Sequence, residues 1–310
     1  MRALLRLTAF ILLLLLMFNA PEGIAQKRLT VVTSLPDLAD ITRSIGGDAV
    51  DVSSIATGYQ NPHFVDPKPS HILKLTRADM FVTVGLDLET GWVPPLLNSA
   101  RNPRIMPGGD GYVDASTTVR LLQVPTNVSR DQGDIHVYGN PHYWLDPDNG
   151  RVIATNIAAA LSRLLPSRSA AFETNLATFN EQLDRRLAEW KQQMLPFAGT
   201  EIVAYHNQWP YFEQAFGLKI ADFLEPRPGI PPTPSQLAKV IGLMTTRNIH
   251  VIIISPYYTR DSANLVAGKV GGEVVPLATS VGAFPEIETY FDLFDYNVTA
   301  ISKALTHSSH

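Results

Sequence analysis

The sequence predicts an α/β fold in two halves, each a parallel sheet flanked by helices, with one long helix between them. Short apolar runs rich in β-branched residues alternate with segments of helical periodicity along most of the chain. This alternation is typical of parallel sheets with helices on both faces. Midway, the stretch 167–195 contains neither proline nor glycine. The elements on either side of it therefore divide into two groups.

The first half shows three strand-like runs separated by helical segments. The strands are predicted at 29–33, 50–56 and 80–84, and the helices at 36–45 and 151–165. Gly46 and Gly47 follow the first helix, and glycine commonly ends a helix. We assign residues 26–165 to an N-terminal α/β lobe.

The central segment, 166–196, is predicted to be a single long helix that connects the two lobes. Its apolar residues recur in steps of three and four, which places them on one helical face. They are Phe172, Leu176, Phe179, Leu183, Leu187, Trp190 and Met194. At 1.5 Å per residue the helix is about 40 Å long, enough to run along both lobes as a rigid connector. The alternative is a long core helix inside one domain.

The second half, 197–310, repeats the alternation of strands and helices and is assigned to a C-terminal α/β lobe. Strands are predicted at 201–205, 249–254 and 273–277, and helices at 208–216, 261–269 and 286–305. The proline-dense stretch 225–235 is predicted to be a stiff surface loop. The next helix is expected to start near Thr233 or Ser235.

The N-terminus has the pattern of a secretory signal. Arg2 and Arg6 begin it, an almost wholly apolar run follows at 7–18, and small residues stand at 23–25. The alternative, a membrane anchor, needs about 20 apolar residues, and this run is shorter. We therefore expect residues 1–25 to be a signal peptide and the mature protein to lie in the periplasm. The absence of cysteine predicts that no lipobox cysteine anchors it to a lipid.

Composition excludes several classes of function. Without cysteine the chain has no disulfides and no thiolate metal ligands. With 25 basic and 29 acidic residues the net charge is −4. A mildly acidic chain without a basic run is a poor binder of nucleic acid, so we expect no nucleic-acid partner.

Three of the eight histidines stand where α/β proteins usually bind ligands. His63 follows the second predicted strand, and His206 follows the strand at 201–205. Ligands of open α/β sheets gather outside the carboxyl ends of the strands. His142 is placed in the same way if its loop leads into the next helix. Three neutral imidazoles in a chain without cysteine suit a borderline divalent cation such as Zn²⁺.

Two of these histidines stand in similar turns, NPHFVDP around His63 and NPHYWLDP around His142. Proline fixes its own φ and restricts the residue before it, which reduces the entropy that the histidine loses on binding a metal. Asp66 and Asp146 follow within a few residues. Each either accepts the second ring N–H of its histidine or serves as an ordinary turn or helix-cap residue.

The remaining histidines carry weaker expectations. Four of them are expected to be ordinary surface or structural residues, namely His71, His250, His307 and His310. His136 lies close to His142 in the sequence. It is either a residue that captures metal transiently or an ordinary one.

Several longer stretches of the sequence form a recognisable set. They are VVTSLPDLADITRSIGGD, NPHFVDPKPSHILKLTRADMFVTVGLDLETGW, GNPHYWLDPDNG, VAYHNQWPYFEQAFGL and the closing helix with DYN. Together they resemble one family, the zinc- and manganese-binding solute-binding proteins of ABC importers (cluster A-I, or cluster 9). With the long central helix, they cover almost all of the chain after the predicted signal. The resemblance implies two Rossmann-like α/β lobes joined by one long rigid helix, with a metal site in the inter-lobe cleft.

The resemblance also implies a set of ligands. The first two histidines of the family correspond to His63 and His142. The third ligand is histidine in zinc-type members and glutamate in many manganese-type members; here it is His206, which favours Zn²⁺ over Mn²⁺. The fourth ligand, usually an aspartate, corresponds by position to Glu288, with Glu286 or water as alternatives. The long histidine-rich loop of many zinc-type members is missing.

We therefore expect a monomeric periplasmic zinc-binding protein that delivers the ion to an ABC permease in the inner membrane. A periplasmic metallochaperone is a further candidate partner. One alternative is a manganese- or iron-type member of the same family. Another is a mononuclear zinc hydrolase, because three histidines and a water also form catalytic zinc sites. The chain has no HExxH motif, so we expect that it is not an enzyme.

Overall fold

The computed structural model describes residues 28–127, 136–227 and 229–308. The predicted signal peptide, 1–25, lies outside these ranges. Within them, no helix combines the length and the apolar character that crossing a membrane requires.

The described residues contain eight strands in two separate sheets, and all pairings of neighbouring strands are parallel. The strands are β1 (Leu29–Thr33), β2 (Val50–Ser54), β3 (Met80–Thr83), β4 (Tyr112–Asp114), β5 (Glu201–Ala204), β6 (Lys219–Phe223), β7 (Val251–Ile254) and β8 (Glu273–Pro276). The first sheet has the order β2-β1-β3-β4 and the second the order β6-β5-β7-β8. This confirms the predicted α/β fold class with two parallel sheets.

The sequence pattern does not predict two of these strands, β4 and β6. Both lie at the edge of a sheet. β4 has three residues, and β6 includes Lys219 and Asp222. Neither shows the continuous apolar run by which a buried parallel strand is recognised.

Nine helices lie in the described ranges. They are α1 (Pro36–Gly46), α2 (Pro69–Arg77), α3 (Val93–Ala100), α4 (Pro147–Leu164), α5 (Ser169–Met194), α6 (Pro210–Phe216), α7 (Pro234–Arg247), α8 (Asp261–Val270) and α9 (Tyr290–Ser308). Five of them begin at a proline, whose fixed φ and missing N–H suit the first position of a helix. The predicted start of the helix after the proline-dense loop, near Thr233 or Ser235, agrees with α7.

The long helix α5 packs against elements of both halves of the chain. It contacts α1 and α4 of the first half and α6 and α9 of the second half. Six of the seven predicted stripe residues are buried, and Leu176 is half-buried. The Asp295 carboxylate in α9 accepts the Trp190 indole N–H at 2.8 Å and pairs with Arg186 at 2.6 Å. Helix α5 is therefore fixed to the second half by polar contacts as well as by its apolar stripe.

A second connection joins the lobes at the end of the C-terminal sheet. We call it the seam and define it as Asp37 and Trp144 of the first lobe with residues 279–281 and Tyr290 of the second. The Trp144 indole N–H donates to the Thr279 carbonyl at 2.9 Å. The Tyr290 hydroxyl donates to the Trp144 carbonyl at 2.6 Å. All of these groups are buried.

Asp37 is the acidic group of the seam. Its carboxylate accepts the Val281 N–H at 3.1 Å and the Ser280 hydroxyl. The side chain is fully buried, and burial raises the pKa of Asp37 to about 7. A carboxyl group in α1 thus links the two lobes and titrates close to neutral pH.

Candidate metal centre

Three histidines from three separate loops converge between the lobes. His63 follows β2, His142 lies just before α4, and His206 follows β5. One potential ligand atom of each lies within 4.8 Å of those of the other two. The Nε2 atoms of His63 and His142 are 3.1 Å apart. His142 and His206 are buried, and His63 is half-buried. The structure thus brings together the three histidines that the sequence singles out.

The two NPH turns have the same local construction. The His63 N–H donates to the Asn61 side-chain oxygen at 3.1 Å, and the His142 N–H donates to the Asn140 oxygen at 3.1 Å. An asparagine side chain that binds the backbone two residues later forms an Asx turn. The proline between them fixes φ. Asparagine and proline together therefore determine the direction in which each histidine leaves the backbone.

Asn140 also fixes the ring of His142. The Nδ1 atom of His142 lies 2.9 Å from the Asn140 side-chain oxygen. Because an amide oxygen only accepts hydrogen bonds, Nδ1 carries the proton. The lone pair of Nε2 then faces the other two histidines. Metal-binding histidines characteristically have such a partner on their second nitrogen.

This role falls to the asparagine of the turn rather than to the downstream aspartate. Asp146 caps α4, because its carboxylate accepts the Asp148 N–H at 2.9 Å. The helix consequently starts at Pro147, whereas the sequence pattern predicts a start at Arg151. Burial raises the pKa of Asp146 to about 6. Asp66 is exposed.

His206 is held by a carboxylate instead. Its Nδ1 atom lies 2.6 Å from Oε2 of Glu225, and both side chains are buried. The carboxylate accepts, so a neutral His206 donates from Nδ1 and keeps the lone pair of Nε2 free, as a metal ligand requires. Glu225 follows β6. The sequence pattern places it in a surface loop, because β6 is not recognisable there and its carboxyl end cannot be located.

A cavity of about 210 Å³ lies beside these groups. Its walls include His63, His206 and Glu225, together with Tyr205 and Tyr258. The rings of Tyr205 and Tyr258 stack with centroids 4.2 Å apart. His206 therefore borders a space with both aromatic and acidic walls.

Burial makes His63 and His142, and His136 beside them, poor bases. Burial and the neighbouring imidazoles hold the pKa of His63 and His142 well below the usual range. The same causes lower the pKa of His136 to about 4. These rings are therefore neutral at pH 7, which is the form that binds a metal.

His136 lies next to the three converging histidines without joining their group. Its ring stacks on that of His63, with centroids 5.0 Å apart and an interplanar angle of 29°. It meets the His142 ring edge-on at 6.3 Å. Its Nε2 atom is buried and has no hydrogen-bond partner among the described residues.

The structure does not bring Glu288 to the three histidines. Within the described ranges the potential metal group contains His63, His142 and His206 alone. Glu288 is exposed, and its N–H donates to the Asp292 carboxylate at 3.2 Å, just before α9 begins. Glu286 is also exposed.

The other described histidines have ordinary surroundings. Nδ1 of His71 accepts the Lys68 N–H at 3.3 Å at the start of α2. His250 bonds through both ring nitrogens, to the Val270 carbonyl and the Asn248 side chain. His307 is exposed, and His310 lies outside the described residues.

Comparison with known proteins connects this geometry to a family. The family model described as zinc-uptake complex component A, periplasmic (ZnuA), matches residues 31–304. The manganese ABC transporter substrate-binding lipoprotein PsaA of Streptococcus pneumoniae is 27% identical over 316 residues, covering 96% of this chain and 97% of its own. The metal ABC transporter substrate-binding lipoprotein SloC of Streptococcus mutans is 25% identical, covering 91% and 92%.

Solved structures agree on the fold. A crystal structure of ZnuA aligns with a TM-score of 0.77 at 24% identity, covering 90% of this chain and 99% of its own. A Mn-bound periplasmic metal binding protein from Candidatus Liberibacter asiaticus aligns with a TM-score of 0.74 at 22% identity, covering 90% and 100%. The two-lobed architecture is thus common to this chain and to both structures.

Proposed function

The chain belongs to the periplasmic zinc-uptake component A (ZnuA) family, and from this premise we propose that it captures Zn²⁺ and delivers it to an ABC importer. Members of this family and its relatives are metal-binding, substrate-binding components of ABC transporters. The chain is therefore a solute-binding protein and not an enzyme. The metal is its cargo.

One observation carries the proposal, namely the convergence of three buried or half-buried imidazoles from both lobes. Zinc binds histidine nitrogen at about 2.0–2.1 Å, so nitrogens of a tetrahedral site lie about 3.3 Å apart. The Nε2 atoms of His63 and His142 are already 3.1 Å apart. Little rearrangement of these two rings is needed to bind the ion.

The choice of Zn²⁺ over Mn²⁺ rests on the donor atoms. Imidazole suits zinc, whereas manganese is better served by carboxylate, carbonyl and water oxygens. The three converging ligands offer nitrogen, and the Glu225 carboxylate is engaged with His206. Two similar proteins, PsaA and the Liberibacter protein, carry manganese in their descriptions, which makes Mn²⁺ the competitor to be tested.

The implied partners are membrane proteins. A substrate-binding protein of this kind works with a permease and an ATPase of an ABC transporter. We propose that the chain acts in the periplasm as a monomer, after removal of residues 1–25, and hands the ion to the permease. A periplasmic metallochaperone is a second proposed partner, upstream of the capture step.

The test is a calorimetric titration of the metal-free protein with Zn²⁺, followed by competition with Mn²⁺. His63→Ala, His142→Ala and His206→Ala should each lower the zinc affinity by more than the roughly hundredfold that changing an outer partner of a ligand costs. His307→Ala, which alters an exposed histidine, is the matched control and should bind as the unchanged protein does. Undiminished zinc binding by all three site variants, or tighter binding of Mn²⁺ than of Zn²⁺, contradicts the zinc proposal.

A further inference from the structure

Zinc held entirely by protein groups takes four ligands, and the converging group provides three. Carboxylates are the obvious candidates for the fourth. Glu225 already accepts a hydrogen bond from His206 at 2.6 Å. Glu288 is exposed outside the group. The fourth ligand is therefore to be sought among the other side chains around the cluster.

His136 offers a ring nitrogen that can bind a metal, next to the three converging histidines. Its ring lies on that of His63 and edge-on to that of His142. Its Nε2 atom is buried and has no hydrogen-bond partner among the described residues. A buried polar atom without a partner costs about 1–3 kcal/mol, so it calls for an explanation. Coordination of a metal would supply the missing partner.

The backbone that carries His136 is tied to the backbone that carries His142. The His136 carbonyl accepts the Gly139 N–H at 3.2 Å, and the Asn140 N–H donates to the Leu122 carbonyl at 2.9 Å. Gly139 has φ +114°, and a Cβ at this position would lie 2.9 Å from the Leu122 carbonyl oxygen. A residue with a side chain is therefore disfavoured here by both conformation and space.

The same turn is anchored to the second lobe. The Tyr211 hydroxyl of α6 donates to the Asn140 carbonyl at 3.0 Å and accepts the Leu122 N–H at 3.1 Å. The Asn140 amide donates to the Asn207 carbonyl, next to His206, at 2.9 Å. The backbone beside His136 is thus fixed relative to both lobes, and the remaining freedom of His136 is rotation about its own side-chain bonds.

We propose that His136 is the fourth ligand of the transported ion, stacked on His63 in the metal-free protein and rotated onto the metal when it binds. The site is then composed of four imidazoles and no carboxylate. A neutral four-nitrogen site favours zinc over manganese more strongly than three histidines and an oxygen donor do. This inference rests on the proposed metal-capture function and names a residue of the same site.

The decisive variant is His136→Phe, because phenylalanine can keep the ring stacking and the burial but offers no ligand atom. X-ray absorption spectroscopy at the zinc edge counts the imidazoles bound to Zn²⁺. We expect four in the unchanged protein and three in His136→Phe, with a loss of zinc affinity of at least about tenfold. The thermal midpoint of the metal-free variant should be unchanged or higher, because the unpartnered buried nitrogen has been removed.

The outcomes separate this inference from the function on which it rests. Three imidazoles in the unchanged protein, or the same zinc affinity in His136→Phe, overturns the role of His136 and leaves the capture function in place if His63→Ala still abolishes binding. Absence of zinc binding by the unchanged protein overturns both. His71→Phe, at a histidine that caps α2, is the control for replacing an imidazole elsewhere, and its imidazole count should remain four.

Discussion

The two lobes hold the three converging histidines in different ways. In the first lobe, His63 and His142 are each positioned by an asparagine two residues earlier. In the second lobe, His206 is oriented by Glu225, nineteen residues away at the end of another strand. The first arrangement is local and can be read along the chain. The second depends on the sheet, because two neighbouring parallel strands must end side by side.

The difference also concerns charge. An amide oxygen orients the ring of His142 without adding charge, whereas a buried carboxylate makes the ring that it touches a stronger donor to a metal. The Glu225 carboxylate also remains within the site as a negative charge when a cation arrives. We therefore expect the second-lobe side to contribute more to affinity, and the first-lobe turns to contribute more to geometry.

Among the residues that orient the histidines, the largest effect on zinc affinity should come from Glu225. Glu225→Ala removes the partner of the buried Nδ1 of His206, so we expect zinc affinity to fall about 10- to 100-fold. Glu225→Gln keeps an acceptor without charge and should lose less. Calorimetric titration measures both. Glu288→Ala is the matched control: unchanged affinity there, with a large loss for Glu225→Ala, is the expected pair, and the reverse pair identifies Glu288 as the functional carboxylate.

Asn140 should come next. Asn140→Ala removes the acceptor for both the backbone N–H and the ring of His142, so a loss of up to about tenfold in zinc affinity is expected. Leaving the buried ring N–H without a partner should also lower the free energy of unfolding by about 1–3 kcal/mol. Urea titration of the metal-free protein and calorimetry give the two values. Asn61→Ala should lower the zinc affinity less than Asn140→Ala does. Equal losses of affinity in the two variants contradict a contribution from the contact between Asn140 and the His142 ring.

The close approach of the lobes at Gly58 should have a smaller effect on metal binding. A Cβ on Gly58, in the loop before His63, would overlap the backbone of residues 281–283. Gly58→Ala must therefore displace this loop or the seam, with a cost of about 1–3 kcal/mol in unfolding free energy and a modest loss of zinc affinity. Gly242→Ala, in α7 with nothing within 4 Å of its Cβ, should instead stabilise by up to about 1 kcal/mol. Similar urea midpoints for Gly58→Ala and Gly242→Ala contradict the close approach of Gly58 to the backbone of residues 281–283.

Asp37 should influence stability while leaving zinc binding at neutral pH almost unchanged. Its pKa in the folded protein is about 7, raised by burial from 3.8. The folded state therefore favours the protonated acid, and this contribution is full below about pH 4 and is lost as the pH rises through about 7. The amide that Asp37→Asn introduces cannot ionise, so the stability of the variant relative to the unchanged protein should rise between about pH 4 and pH 7, by on the order of a few kcal/mol. Urea titrations across this pH range test it, and a pH-independent difference contradicts it.

These contacts explain which residues of the candidate site could be predicted from the sequence and which could not. The three histidines could be predicted because His63 and His206 follow recognisable strands and His142 repeats the turn of His63. Glu225 could not, because the edge strand before it lacks an apolar run. Counting residues along the chain locates Glu288 beside the predicted closing helix, but it does not give the direction of the side chain. In the structure, Glu288 is exposed just before α9.

Asp146 had two possible roles in the sequence, and the structure decides between them. An aspartate followed by proline and a helical pattern is a typical start of a helix, and Asp146 caps α4. The partner of the His142 ring is Asn140, two residues before it. The hydrogen-bond partner of the His142 ring thus lies within the same turn. Which of the nearby side-chain oxygens accepts this hydrogen bond could be determined only from the structure.

In the proposed function, His63, His142 and His206 together hold the ion between the lobes. Anomalous diffraction at the zinc edge from crystals of the protein loaded with one equivalent of Zn²⁺ tests this most directly. We predict one strong peak about 2.0–2.1 Å from the Nε2 atoms of all three histidines. A peak at another group, such as the exposed His307, with none between the lobes contradicts it.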